Sequence, residues 1–286
     1  MTVKKVFFYA GVFLAAFVVT RIFVGNSTNI TENSVMITNK AENSGGTGIV
    51  YKSTKNGSYI LTNAHVCRVT ENGGVIKTNT GNYQVQSYLK SEVSDLCLIF
   101  TPVDLQQNTK LARKEPEMFT LSKVSGHPAL MPTVVSLGHF SGRQIITVMS
   151  GTRPCTDTDK DNAFCAFFGV IPIIKSYDSQ LVTSTIMPGS SGSGVYNTKN
   201  QLSGVVFAGS GDFGYGWIVT YDQVRQFLNS EVYSGTWVTI DQTLAKQNTD
   251  GSSGTREMIK KCSQATDINI VKFCAILKRD VVWNGL

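Results

Sequence analysis

Histidine is scarce in this chain, with three in 286 residues, and no Cys-x-x-Cys pair occurs. A structural zinc cluster therefore has few ligands to draw on. Dense Lys/Arg clusters with interleaved aromatics are also missing, and the net charge is only +6. Nucleic acid is not implied as a partner, and a solvated, mildly basic surface accounts for the charge. No internal repeat is visible, which excludes solenoids and propellers. Amphipathic helical patterns do not alternate with the strand-like runs, so a doubly wound parallel sheet is excluded.

What is present suits a β-rich globular protein. Apolar residues make up 42% of the chain, and Gly, Ser and Thr punctuate many short runs. Alternation predicts strands near 48–53, 59–62, 75–78, 83–88 and 96–100. A second group falls near 134–137, 145–149, 166–174, 181–186, 195–197, 202–207 and 216–220. Two groups of short, turn-linked strands imply two barrels. One helix is expected over 221–229, where Val224, Phe227 and Leu228 recur at helical spacing and Asp222 sits near the start.

The N-terminus differs in kind. Lys4 and Lys5 precede an apolar run over 6–20, followed by Arg21 and Ile22-Phe23-Val24. With Arg21 snorkelling, the stretch reaches roughly the 20 residues a membrane span needs. No small-x-small cleavage site follows it, so residues 1–24 are expected to be an uncleaved anchor. A cleaved signal peptide, giving a secreted or periplasmic protein, is the alternative. The lysines orient the N-terminus to the cytoplasm and the rest across the membrane. Residues 25–44 read as a polar tether and residues 230–286 as a separate tail. Six cysteines, Cys67, Cys97, Cys155, Cys165, Cys262 and Cys274, fit an oxidising compartment. They allow fifteen pairings, and sequence chooses none of them.

The chemistry lies in three short segments. His65 stands in Thr62-Asn63-Ala64-His65-Val66-Cys67, Asp95 in Ser94-Asp95-Leu96-Cys97, and Ser191 in Met187-Pro188-Gly189-Ser190-Ser191-Gly192-Ser193-Gly194. A serine hydroxyl becomes a nucleophile only beside a base, and that base needs a third group to fix its tautomer. In that scheme His65 takes the Ser191 proton, Asp95 holds the other imidazole nitrogen, and the Gly189 and Ser191 N–H groups receive the oxyanion. Losing one such donor costs on the order of 3 kcal/mol of transition-state stabilisation. Ser190 and Ser193 are the alternative nucleophiles. His127 and His139 read as loop or surface histidines. The nucleophile elbow of an α/β-hydrolase is excluded, because its Gly-x-Ser-x-Gly is interrupted by Ser193 and its order is Ser, acid, His.

These segments carry a resemblance. Gly46-Thr47-Gly48-Ile49-Val50 with Tyr59–His65, Asp95-Leu96-Cys97-Leu98-Ile99, Pro188–Asn197 and Leu202–Ala208 resemble trypsin-like peptidases, particularly the bacterial HtrA/DegP and glutamyl-endopeptidase type. The resemblance spans about 45–229. It implies an all-β fold of two six-stranded antiparallel β-barrels with a closing helix. It also implies a serine endopeptidase acting on polypeptides without metal or organic cofactor. It places Thr185 at the base of the substrate pocket and Phe207, Ala208 and Gly209 along its wall. None is charged, so a small or medium uncharged residue is expected before the scissile bond. Three departures stand out. Ser190 replaces the usual Asp or Asn, Ser193 a common Gly, and Gly194 a common Pro. The tail does not resemble a PDZ domain. A protease fold that binds without turnover is the rival function.

Overall fold

A computed structural model describes residues 30–39, 44–71, 73–126, 135–187, 189–210, 214–240 and 261–280. The expected membrane segment, residues 1–24, and His127 lie outside them. Among the described residues no helix is long and apolar enough to cross a membrane.

The first lobe holds β1 (Ser34–Asn39), β2 (Ser44–Thr54), β3 (Gly57–Thr62), β4 (Val75–Lys77), β5 (Asn82–Gln84), β6 (Ser87–Lys90) and β7 (Cys97–Thr101). Helix α1 (Ala64–Glu71) follows β3 directly. The second lobe holds β8 (Leu121–Ser125), β9 (Val135–Pro154), β10 (Val170–Val182), β11 (Gly194–Tyr196), β12 (Leu202–Ser210) and β13 (Tyr215–Val219), with α2 (Ala163–Phe168) between β9 and β10. Helix α3 (Tyr221–Gln226), β14 (Val238–Thr239) and α4 (Ile268–Asp280) complete the chain.

The second lobe is the closed six-stranded barrel expected, in the order β10-β13-β12-β11-β8-β9. The first lobe is not. It is an eight-stranded sheet, β14-β6-β7-β3-β2-β1-β4-β5. Only Val85 and Gln86 separate β5 from β6, so the sheet must curl until its two ends meet. The meeting is made by single bonds instead of a ladder: Gln86 N–H donates to Phe100 O at 2.9 Å, and the Thr101 hydroxyl to Gln84 O at 2.9 Å. Two strands come from unexpected places. Strand β1 lies within the expected tether, and β14 comes from the expected tail and pairs with β6.

Local chemistry explains a further difference. A strand was expected over 166–174, but α2 occupies its first residues. The Asn162 side chain accepts the Phe164 N–H at 2.8 Å, and Gly169, at φ 77°, ends the helix with its N–H on Cys165 O. The strand resumes at Val170. Together β9 and β10 pair from Phe140–Val182 out to Pro154–Val170, making a ribbon that extends well past the barrel.

The main core spans both lobes. Ile49, Leu61 and Leu98 of the first pack with Tyr196, Val205, Phe207 and Val219 of the second, and Phe227 and Leu228 beyond α3 seal it. Burying each large apolar side chain contributes roughly 1.5–3 kcal/mol, so this shared surface holds the lobes together. Helix α3 continues as a π-helical turn, Phe227–Glu231. Arg143 on β9 adds polar ties to Glu115 at 2.6 Å, Asp222 at 2.5 Å and Asp178 at 3.3 Å.

A separate small core sits at the end of the ribbon. Phe168, Cys262, Ile270, Phe273 and Cys274 are buried there, with Phe164 meeting Phe273 edge-on at 5.0 Å. The disulfides Cys155–Cys165 and Cys262–Cys274 staple its two halves. The tail thus docks on the ribbon and is not an independent unit. Phe273→Ala removes the ring that joins them, a change that costs about 3 kcal/mol at a buried site. Amide exchange in 262–280 should accelerate while the β11–β13 amides keep their protection. Equal acceleration in both regions would refute a locally docked tail.

Candidate active site

His65 is placed by the junction of β3 and α1. Strand β3 ends at Thr62. The Asn63 side-chain amide donates to Asp95 O at 2.9 Å, while the Asn63 backbone carbonyl receives the Cys67 N–H at 3.0 Å. Asn63 thereby ties the start of α1 to the loop between β6 and β7. That loop is ordered from within. Ser91 Oγ accepts the Ser94 N–H at 3.1 Å, and Ser91 N–H donates to Leu96 O at 2.9 Å. The Cys67–Cys97 disulfide then cross-links α1 to β7, two residues beyond His65 and two beyond Asp95. The structure pairs Cys67 with Cys97, Cys155 with Cys165 and Cys262 with Cys274, and the described residues hold no free cysteine.

The carboxylate faces the imidazole squarely. Asp95 Oδ2 lies 2.6 Å from His65 Nδ1, and Oδ1 accepts the His65 backbone N–H at 3.1 Å. Burial raises the Asp95 pKa. The charge and two hydrogen bonds of His65 outweigh this, helped by Arg68, and hold the carboxyl below the usual range. An ionised Asp95 keeps the proton on Nδ1 and leaves Nε2 as a lone-pair acceptor. Nε2 is buried and has no hydrogen-bond partner among the described residues. Tyr177 of β10 packs edge-on to Phe207 at 5.9 Å. Burial, then the Asp95 charge, drives its phenol pKa well above the usual value, while Arg68 pulls the other way.

Ser191 sits in the turn that enters β11, and it is buried with 4% exposure. Within the turn, Ser190 N–H donates to Met187 O at 2.9 Å and Ser190 Oγ accepts the Met187 N–H at 3.0 Å. Gly192 N–H reaches Val206 O at 2.8 Å. From the first lobe, Thr47 N–H donates to Ser191 O at 2.8 Å, and its hydroxyl to Gly189 O at 2.9 Å. Gly189 and Gly192 lie at φ 89° and 86°, where a side chain is strained. A Cβ on Gly192 would also overlap Thr47 O. Gly46 is wedged between Val66 and Ser191 O, so the serine turn abuts the start of α1. The Gly189 and Ser191 N–H groups donate to no partner among the described residues. Ser190 is fully buried with its hydroxyl engaged, and Ser193 is also fully buried, which counts against both as nucleophiles.

The expected pocket residues come together unevenly. Phe207 and Ala208 are buried along β12, and Gly209 opposes Gly216 across the β12–β13 ladder. Thr185 is exposed, its N–H donating to Ser136 Oγ at 3.1 Å. Ile186 was not singled out from sequence. It is 2% exposed, and a Cβ on either Gly209 or Gly216 would overlap it. Its side chain therefore fills the space that paired glycines otherwise leave open. His139 is an exposed residue of β9.

A family model, the trypsin-like peptidase domain, matches residues 46–205. The chain belongs to the trypsin-like peptidase family. Curated relatives include the "Serine protease HtrA-like" proteins of Staphylococcus aureus. That of strain USA300 is 28% identical over 166 residues, covering 57% of this chain. That of strain bovine RF122 is 27% identical over 165 residues. The chain spans only 20% of the length of these relatives. Among solved structures, the active form of the Rv3671c protease of M. tuberculosis superposes with TM-score 0.51 at 16% identity, over 70% of this chain and 80% of that one. The HtrA-type protease AlgW with a tripeptide gives 0.54 at 16%, over 73% and 64%. At these identities the likeness is one of fold.

Asp95 makes acid stability a direct readout of the pair. A carboxyl whose folded pKa is depressed adds stability that is present above its unfolded value near 4 and lost as pH falls through the folded value. The gap in urea midpoint between the wild type and Asp95→Asn should therefore be widest above about pH 5 and shrink towards pH 2.5. A gap that is constant with pH would contradict an ionised Asp95.

Proposed function

We propose that this trypsin-like peptidase is a serine endopeptidase that cleaves polypeptides with His65, Asp95 and Ser191. The observation that carries the reading is the 2.6 Å Asp95–His65 contact, which leaves Nε2 an unpaired acceptor beside the serine turn. Ser191 Oγ attacks the scissile carbonyl carbon while Nε2 takes its proton. The carbonyl oxygen, now anionic, is received by the Gly189 and Ser191 N–H groups. His65 passes the proton to the departing amine, and an acyl-enzyme remains. Water then repeats the sequence with His65 as base and releases the acid.

Ile186 supports the small end of the expected small or medium uncharged residue before the scissile bond, because it fills the wall between Gly209 and Gly216. The catalytic lobes are placed on the extracytoplasmic side of a membrane. The Lys4/Lys5 flank and the apolar run after it support that side, and three disulfides fit an oxidising compartment. A catalytically silent protease fold is the second reading, favoured by one observation: the His65–Ser191 hydrogen bond is not made.

Two measurements decide these points. Ser191→Ala should abolish peptide hydrolysis and fluorophosphonate labelling while leaving the thermal midpoint within a few degrees. Labelling that persists in this variant, or a wild type that neither labels nor cleaves, overturns the endopeptidase reading. Ile186→Ala should raise kcat/KM for Leu relative to Ala at the residue before the cleaved bond by about 10-fold or more, the scale set by a few methylenes in an apolar pocket. An unchanged Leu/Ala ratio would show that Ile186 does not bound the pocket.

A further inference from the structure

The serine turn and the His65–Asp95 pair belong to different lobes, so something must hold the turn in register with the base. Thr47, fully buried on β2, has every polar group committed to that task. Its backbone N–H donates to Ser191 O at 2.8 Å, and its hydroxyl donates to Gly189 O at 2.9 Å. Its own carbonyl receives the Thr62 hydroxyl at 2.7 Å. Thr62 is the last residue of β3, three before His65. A continuous hydrogen-bonded chain therefore runs from the strand that launches the base, through Thr47, to the carbonyls of both proposed oxyanion donors.

Geometry makes the hydroxyl the informative member. Gly189 has φ 89° and no side chain, so its own dihedrals offer little resistance to rotation. Fixing its carbonyl fixes the Gly189–Ser190 peptide plane and narrows the directions open to the adjoining Gly189 N–H. The backbone bond from Thr47 to Ser191 O would survive any side-chain change. Only the bond to Gly189 O depends on this residue being Thr or Ser.

We propose that Thr47 is a positioning residue, whose hydroxyl holds the oxyanion-binding turn of the second lobe in register with the His65–Asp95 pair of the first. The proposal rests on the reading of Ser191 as nucleophile and of the Gly189 N–H as an oxyanion donor. Its consequence is that the loss falls on transition-state binding and spares both ground-state binding and the base.

The test uses the full-length chain in detergent with Thr47→Val, Thr47→Ala and Thr47→Ser. Val keeps the shape, Ala avoids overpacking, and Ser restores the hydroxyl. Thr47→Val and Thr47→Ala should lower kcat and the rate of fluorophosphonate acylation by 10- to 100-fold, with KM changed less than 2-fold. A peptide boronate, which places an oxygen where the oxyanion forms, should lose affinity by the same factor. The pH midpoint of kcat/KM should not move, because the His65–Asp95 contact is untouched. Thr47→Ser should recover most of the loss. Wild-type rates in folded Thr47→Val or Thr47→Ala overturn the proposal, as does a loss confined to KM or an equal loss in Thr47→Ser. If Val fails to fold, the Ala and Ser pair decides. Full turnover by Ser191→Ala would instead overturn the catalytic reading itself, a result separable from every Thr47 outcome.

Discussion

The site depends on one constraint above the others: the backbone of β2 hydrogen-bonds across the lobe boundary to the Ser191 carbonyl. His65 and Asp95 belong to the first lobe, and Ser191 sits at the entry to β11 of the second. No disulfide joins the lobes, because Cys67–Cys97 lies within the first and the other two pairs serve the ribbon and tail. The lobes are joined by the shared apolar core and by this short polar seam. Apolar packing is not directional, so the core can bring the lobes together but cannot set sub-ångström register. Hydrogen bonds, with their narrow range of distance and angle, can do so. The close approach also dictates residue 192, where any side chain would collide with the Thr47 carbonyl.

Order on the acid side is built differently. The loop carrying Asp95 is braced by Ser91 from within and by Asn63 from the helix of the base. A third brace comes from the far end of the fold. Glu231, at the close of the π-helical turn after α3, accepts the Glu92 N–H at 3.2 Å. Glu231 lies three residues after Leu228, which with Phe227 forms the buried anchor of the helix. The closing helix thus supports the Asp95 loop while it seals the core.

Sequence exposes what depends on neighbours along the chain and hides what depends on closure. The segments of His65, Asp95 and Ser191 are legible because the strand ends and glycine turns that present them are local. The second barrel is legible in part: the segments of β11, β12 and β13 are expected, whereas β8 is not, and the single strand β9 reads as two. The first lobe is not, because the Val85–Gln86 corner closes by two isolated bonds that leave no periodic trace. The helix over 163–168 was hidden by its run of aromatics, which suits a strand equally well. Its signals were Asn162 before it and Gly169 after it. Thr47 and Ile186 escaped for another reason. Each looks like an ordinary strand or loop residue, and each acquires meaning only through partners 15 or more positions away. Cysteine pairing has the same character, since fifteen arrangements are open until the backbone brings the partners within reach.

Ser190 shows how a departure from the family pattern changes the physics of the turn. A carboxylate in that buried position would need a cation or several donors. A buried hydroxyl needs only a donor or an acceptor, and the turn already contains a donor in the Met187 N–H, 3.0 Å away. The Ser190 N–H closes the same loop onto Met187 O, so the two residues form a reciprocal pair. The turn is therefore fastened internally by neutral groups and externally by Thr47. Burying a neutral hydroxyl with its partner costs far less than burying an unpaired carboxylate. A serine at this position thus leaves no buried charge to compensate, and its hydroxyl is satisfied within the turn itself.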